Sequence, residues 1–352
     1  MSANNSRNNK TFFNNFMPVV VTDKPLPGYT SSSSEIILIT INATGTKLIT
    51  TRTDRSIRIW RCFPERITDP HVIEDAHSKA VESISWDPNT EHSFASVGRD
   101  EYVKIWNGHT GALERQFKVV RDDKEEVAAL KIVKYSSDGL VLITVDRDSE
   151  ITFYSVENNF KQIYRLKDIT EPIYDFQWFH NDHSFFILAF HNGNLPIYEF
   201  IYDEGKETET KLKTELTAHR SSATAVVIDP RGTYCAVGSG EGVVSLWNTK
   251  SMLHFKTISE VDESIACIDA SRDGTYIAVS YDKGENIVIY DTVSGDRVYE
   301  VANSLSGQLT FACIAWFPSK TSFAYSSDEG TTLTVMRKPE RNGRPRDRDR
   351  AQ

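Results

Sequence analysis

The sequence predicts an all-β chain closed into a ring of seven four-stranded blades, a seven-bladed β-propeller. Three observations predict it. A short apolar strand ending in an aromatic residue recurs at a nearly constant interval. A second apolar strand, running into a turn, keeps step with it. A lone strand-like segment near the N-terminus is left over to complete the last blade. A period close to 45 residues with several short strands per period is the mark of propeller blades.

The aromatic strands are SIRIW (56–60), YVKIW (102–106), EITFY (150–154), NLPIY (194–198), VVSLW (243–247) and NIVIY (286–290), with TTLTVM (331–336) as the seventh. Their last residues, Trp60, Trp106, Tyr154, Tyr198, Trp247, Tyr290 and Met336, are spaced by 46, 48, 44, 49, 43 and 46 residues. The second series comprises IILITINATG (36–45), VESISWDPNT (81–90), ALKIVKYSSDG (129–139), IYDFQWFHND (173–182), ATAVVIDPRG (223–232), IACIDASRDG (265–274) and FACIAWFPSK (311–320). These are expected as inner strands, apolar on both faces because neighbouring blades cover both. The Asp-Pro, Asp-Gly and Asn-Asp pairs that follow supply turn chemistry.

Outer strands are expected at 71–76, 112–117, 162–169, 211–216, 254–259 and 297–302, six for seven blades. MPVVVT (17–22) is the strand-like segment before Ile36, so it is expected to pair with the last blade and close the ring. Closure removes sheet edges that would otherwise template aggregation. The domain reading is a disordered polar N-terminus over 1–16, one propeller over 17–337 and a disordered Arg-rich tail over 338–352.

Composition narrows function. No apolar run approaches the ~18 residues of a membrane helix, and the N-terminus lacks the apolar core of an export signal. The expectation is therefore no membrane and an intracellular chain. Cys62, Cys235, Cys267 and Cys313 lie far apart, which fits small buried residues rather than a zinc or disulfide framework. Net charge is −9, yet residues 337–350 carry seven basic and three acidic residues, leaving 33 basic against 46 acidic elsewhere. The acidic body repels nucleic acid as a whole. The tail residues Arg337, Lys338, Arg341, Arg344, Arg346, Arg348 and Arg350 are candidates for a weak, salt-dependent RNA contact.

Catalytic motifs do not survive scrutiny. GSGEG (238–242) is glycine-rich, but a strand follows it where a phosphate loop needs a helix N-terminus, so it reads as a hairpin. His180 and His183 are two ligands without a third. Asn42 heads an Asn-Ala-Thr sequence that reads as a turn. No enzyme activity, cofactor, metal or small-molecule substrate is expected.

The repeats resemble the WD-repeat family, whose blades carry a His before the inner strand, Ser or Thr in the second strand, Asp in the tight turn and Trp six residues later. Blade 2 has all four in His77, Ser96, Asp100 and Trp106. Blade 1 has Thr50, Asp54 and Trp60; blade 3 has Thr144 and Asp148 with Tyr154; blade 5 has His219 and Trp247 with Glu241 for Asp. Blades 4, 6 and 7 have lost most of the set. The resemblance implies a structural hydrogen-bond relay, with the histidines as members and not catalysts.

A narrower similarity runs over roughly 35–336, to the WD-repeat subunits of the THO complex. It is clearest in 218–252 and in the degenerate fourth blade at 173–198. It implies a nuclear, non-catalytic scaffold in transcription-coupled mRNP assembly and mRNA export. The implied partners are other THO subunits and, through them, a DEAD-box RNA helicase. The alternative is a peptide-recognition module, a substrate or histone-type receptor in a ubiquitin-ligase or chromatin complex.

In a propeller the turns between second and third strands share one face. Arg52, Arg55, Arg99, Arg147 and His191 fall on one half of that face, and Glu241, Asp282, Lys283, Glu285, Asp328 and Glu329 on the other. The basic half is the candidate partner-binding face, docking an acidic peptide or phosphates.

Overall fold

The computed structural model describes residues 11–339 except 22, 31–32, 64–65, 69, 121–127, 203–207, 283, 306, 308–310 and 319–321. Among them the strands form seven four-stranded antiparallel sheets, and each chain-consecutive sheet runs inner, second, third, outer. The inner strands are Ile36–Ile41, Val81–Trp86, Leu130–Tyr135, Ile173–Trp178, Ala223–Ile228, Ile265–Ala270 and Ile314–Trp316. The seventh sheet is completed by Met17–Val21, which pairs antiparallel with Thr332–Arg337, from Met17 opposite Arg337 to Val21 opposite Leu333. The N-terminal strand closes the ring.

Packing follows from this arrangement. Each of seven buried apolar clusters lies between two neighbouring blades. The cluster between blades 3 and 4 is aromatic, with Phe153 and Phe200 stacked at 4.5 Å and Phe176, Trp178 and Phe186 beside them. Burial of such rings drives the association of blades that share few hydrogen bonds.

The inner strands differ from the expectation of two apolar faces. Six of them carry a register shift after the first residue, as between Val81 and Ser83 or Leu130 and Ile132. A β-bulge inserts one residue and breaks strict alternation. The second and fifth residues then both turn toward the central channel, as Lys131 and Lys134 or Tyr174 and Gln177 do, and Glu82 joins them. The channel wall therefore mixes charged and polar side chains with apolar ones such as Ile37, Val227 and Ala266.

Inner strands are the free edges of their sheets, so their backbone groups need partners. Side chains of the preceding blade supply them. Ser85 Oγ accepts from the Tyr135 amide at 3.0 Å and Asp175 Oδ2 from that of Val226 at 3.0 Å. Asp269 Oδ2 accepts from the Trp316 amide at 2.6 Å. Lys131 Nζ donates to Ile173 O at 2.8 Å, Thr224 Oγ1 to Ile265 O at 2.6 Å, and Cys313 Sγ to Ile37 O at 3.0 Å. Six of the seven blade interfaces are clamped this way.

The polar N-terminus departs from the disorder expected over 1–16. Phe13–Asn15 form a 3-10 turn, and Phe13 and Phe16 are buried between blades 6 and 7. Phe13 stacks on Tyr299 at 5.5 Å and meets Tyr276 edge-on at 5.0 Å. The surrounding asparagines hide three phenylalanines from an average over composition. Residues 1–10 and 340–352 lie outside the described residues, and with them Arg341, Arg344, Arg346, Arg348 and Arg350.

Candidate functional site

The relay residues come together in blade 2. Trp106 Nε1 donates to Ser96 Oγ at 2.8 Å, and Ser96 Oγ lies 2.7 Å from His77 Nε2. His77 Nδ1 lies 3.0 Å from both carboxylate oxygens of Asp100. With the Ser96 oxygen already accepting from Trp106, its proton goes to Nε2, and His77 carries its own proton on Nδ1 toward Asp100. Burial pushes the Asp100 carboxyl up, but bonds from His77 and from the Ser78 and Tyr102 amides outweigh it and hold it at about 2. Every member is buried and partnered, which is a lock and not a reactive centre.

Other blades keep the lock and change its parts. In blade 1 Trp60 Nε1 donates to Thr50 Oγ1 at 3.1 Å, and Ser34 takes the histidine's place, donating to Asp54 at 2.7 Å. In blade 5 His219 and Trp247 converge on Ser245, on the third strand, at 2.9 and 2.8 Å. In blade 6 Tyr281 and Tyr290 join hydroxyl to hydroxyl at 3.0 Å. Blade 3 is a correction: Thr144 is buried, but Asp148 is exposed. Asp146 closes that turn instead, accepting the amides of Asp148 and Glu150 at 3.0 Å.

The face carrying these turns is the ring mouth. Arg99 and Arg147 are about half exposed and converge on one carboxylate, Glu82, with Arg147 at 3.6 Å. Arg55 pairs with Asp75 at 2.6 Å. His191 is exposed and stacks on Tyr174 at 5.7 Å. Arg52 is different from the expectation of an exposed cation: its side chain is only 3% exposed. It donates to Ser34 O at 2.5 Å and Thr331 O at 2.8 Å and pairs with Asp23 at 3.3 Å. It is a fastener between blades 1 and 7. On the other half Glu241, Asp282, Glu285, Asp328 and Glu329 are exposed; Lys283 lies outside the described residues.

Below the mouth lies a channel of about 560 Å³ lined by all seven inner strands. Its charged groups, Glu82, Lys131, Lys134, Asp175 and Asp269, were not among the residues singled out in the sequence. Burial pushes Asp269 up to about 6 against the amides of Trp316 and Ala270, and raises Asp175. Burial also lowers Lys131. The readable signal was polar residues three apart in the inner strands of blades 2 to 4, Glu82 and Ser85, Lys131 and Lys134, Tyr174 and Gln177, the imprint of the bulge. His180 donates to Ile228 O at 3.3 Å while His183 lies 2.8 Å from Ser137 Oγ, so the pair does not converge. No cluster of three metal-ligating side chains exists among the described residues.

The GSGEG segment is the hairpin between Tyr234–Ser239 and Val244–Asn248, with Gly242 at φ +80°. Arg337 belongs to the last strand, and Lys338 stands over the Phe12 ring at 5.3 Å. Neither is part of a free tail.

Comparison with known proteins agrees with the geometry. The family model described as WD domain, G-beta repeat, matches residues 70–107, the span holding His77, Ser96, Asp100 and Trp106. That stretch of the chain is a WD repeat, set in a seven-bladed ring. A second family model, Eukaryotic translation initiation factor eIF2A, matches residues 133–303, which in this WD-repeat ring are blades 3 to 6. The WD-repeat chain is 26% identical to THO complex subunit 3 of Arabidopsis thaliana over 86% of its length and 92% of that protein's. It is 20% identical to Protein TEX1 of Saccharomyces cerevisiae over 88% of its length and 73% of that protein's. It is 26% identical to WD repeat-containing protein AAC3 of Dictyostelium discoideum over 61% of its length, and spans about half of that relative. A WD-repeat ring that resembles a THO subunit supports a protein-interaction role.

Proposed function

We propose that this WD-repeat ring is a non-catalytic scaffold subunit of a THO-type assembly, acting in the nucleus in transcription-coupled mRNP assembly and mRNA export. The observation that carries the reading is the end-to-end similarity to THO complex subunit 3, which spans the propeller and not a single repeat. The physical support is a surface built for docking. The polar residues of the relays are spent on locking blades, and the exposed charge stands on loops around the mouth.

In this reading the basic half, Arg55, Arg99, Arg147 and His191, docks an acidic segment of another subunit. The acidic half opposes the same segment and fixes its orientation. The partners are other THO subunits and, through them, a DEAD-box RNA helicase. Affinity purification from native extract with mass spectrometry tests it. Large subunits co-purifying at constant ratio with RNA-processing factors are expected. Recovery of a ubiquitin-ligase or chromatin complex instead would replace the reading with peptide recognition. Arg99→Glu with Arg147→Glu is expected to weaken capture at least tenfold with an unchanged melt. Capture that persists at low and moderate salt excludes the mouth as the docking face.

A further inference from the structure

On the face opposite the mouth, the outer strand of blade 5, His254–Ile258, runs beside the turn that joins the third and outer strands of blade 6. Lys256 Nζ donates to Ser294 O at 2.9 Å and ties the two together. Leu253, Phe255 and Val293 stand out here, 67%, 49% and 81% exposed. Val293 is the most exposed large apolar side chain among the described residues.

This exposure is built into the backbone. Asp291 Oδ1 accepts the Val293 and Ser294 amides at 2.9 Å, and Thr292 Oγ1 donates to Gly274 O at 2.9 Å. In the blade 5 turn Asn248 Oδ1 accepts the Lys250 and Ser251 amides at 3.0 Å. Phe255 sits where the outer strand bulges, between the pairs Trp247–His254 and Leu246–Lys256. The same place holds Glu114 in blade 2 and Lys213 in blade 4, which suit water. In blades 3 and 6 it holds Ile163 and Val298, which pack into the clusters between blades. Of these five blades, blade 5 alone puts an aromatic ring at the bulge and leaves half of it uncovered.

The rim around the three side chains is mostly basic. Lys250, His254 and Arg272 are exposed and Lys256 is half-buried. Arg231, 57% exposed, lies over Gly274, where a Cβ would be 2.9 Å from its Nη2. On the same turns Asp273 and Asp296 are the exposed carboxylates, while Asp229 and Asp291 are buried. The neighbouring arm of blade 4 leans the other way: Thr210 Oγ1 lies 3.2 Å from Tyr164 Oη of blade 3, and Tyr202 stacks on Phe200.

Four features select the occupant. Leu253 and Val293 are aliphatic, so they bury against apolar side chains and give a nucleobase no plane to stack on. The basic rim favours acidic residues flanking the apolar ones. Two copies meeting here about a two-fold axis would set like charges face to face. The bulge at Phe255 interrupts the sheet edge and disfavours an added strand. An amphipathic helix with an apolar stripe at i, i+3, i+4 and i+7 and acidic residues beside it meets all four.

We infer that this patch docks an acidic amphipathic helix of another protein, with Phe255 as its central anchor. The inference goes beyond the reading of the mouth and stands without it, since it uses the opposite face.

The test uses the full chain and a fluorescein-labelled peptide of leucine, glutamate and alanine, about five helical turns long, with the leucines on one face. The control peptide has the same composition with its leucines spread round the helix. Anisotropy is expected to show tighter binding of the first peptide, and methyl NMR of the parent to show the Leu253 and Val293 signals moving. Phe255→Ser with Val293→Ser is expected to weaken binding on the order of tenfold or more with an unchanged melt. Lys250→Glu with Lys256→Glu is expected to weaken it at low salt and to remove most of its salt dependence. The inference is overturned if the two peptides bind alike, if the two methyl signals stay in place, or if both variants bind like the parent. Binding lost through Arg99→Glu with Arg147→Glu assigns the helix to the mouth and overturns it too. A decamer of uridine that moves the same methyl signals and binds more tightly assigns the patch to nucleic acid instead. Sedimentation showing a dimer of the chain that Phe255→Ser with Val293→Ser dissolves assigns it to a second copy.

Discussion

Blade 2 and the seam between blades 7 and 1 do the same mechanical job with opposite chemistry. Blade 2 is one continuous stretch of chain, and its lock is a relay with one carboxylate at its end. The seam joins the N-terminal strand to the last blade, and its lock is charge. Asp23, just past that strand, faces Arg52 and Arg58, whose side chains are 3% and 1% exposed. Arg58 also holds Asp54 at 2.9 Å and Lys24 O at 3.1 Å. Burial lowers both guanidinium groups to about 10, yet they stay protonated at neutral pH. A strand already linked by a tight turn pays little entropy to pair, so a relay that sets register suffices. A free chain end must be captured from solution, and buried ion pairs at the seam together with an aromatic plug between blades 6 and 7 do it.

The comparison breaks most readily at the plug and strand. Deleting residues 1–23 removes the closing strand, Asp23, Phe13 and Phe16. Two buried phenylalanines alone are worth about 3–5 kcal/mol each, so insolubility or loss of the cooperative melt is expected. An unchanged melt would show that the ring closes without the terminus. The next effect is smaller. Asp23→Asn leaves Arg52 and Arg58 short of one buried counter-charge, and a loss of about 3–5 kcal/mol in denaturant unfolding is expected. In blade 2, Ser96→Ala strands Trp106 Nε1 and His77 Nε2 and is expected to cost about 1–3 kcal/mol. If Ser96→Ala proved as costly as Asp23→Asn, the contrast between the two locks would fail.

The sequence made the ring legible because blade geometry is periodic. The aromatic ends of the third strands and the turns after the inner strands repeat seven times, and the unmatched MPVVV could only complete the seventh sheet. Relay partners in blade 2 were legible because they sit at the family spacing. Arg52 was not. Its place in a tight turn reads as exposed, and only three dimensions bring Thr331 and Asp23 to it. Ser245 was missed because it acts from the third strand, while Val237 fills the second-strand place that Ser96 holds in blade 2. The channel charges were hidden because a bulge changes a strand's period from two to three over one step, and a search for alternation passes over it.

The gentlest way to sharpen the comparison is proton titration, because two buried carboxylates respond with opposite sign. Asp100 in the blade 2 relay is held at about 2, below the ~3.9 of an unfolded aspartate. The folded state binds its proton less tightly, so its contribution is complete above about pH 4 and fades as pH falls toward 2. Asp269 at the interface of blades 6 and 7 is pushed up to about 6 by burial. Between about pH 4 and 6 the folded state holds a proton that the unfolded chain has released, so stability falls as pH rises through that window. The slope from either group is bounded by about 1.4 kcal/mol per pH unit, since each releases one proton. Unfolding free energies of the parent and of Asp269→Asn, measured from pH 4 to 7, are expected to differ by an amount that changes between 4 and 6 and is level above it. His77→Ala removes the bond that lowers Asp100 and is expected to lessen the stability lost as pH falls from about 4 toward 2. A parent-minus-Asn difference that stays flat from 4 to 6 would mean that the Trp316 and Ala270 amides compensate the burial of Asp269 in full. The clamps along the channel would then be as well satisfied as the relay in blade 2, and the ring would have one kind of polar lock apart from its seam.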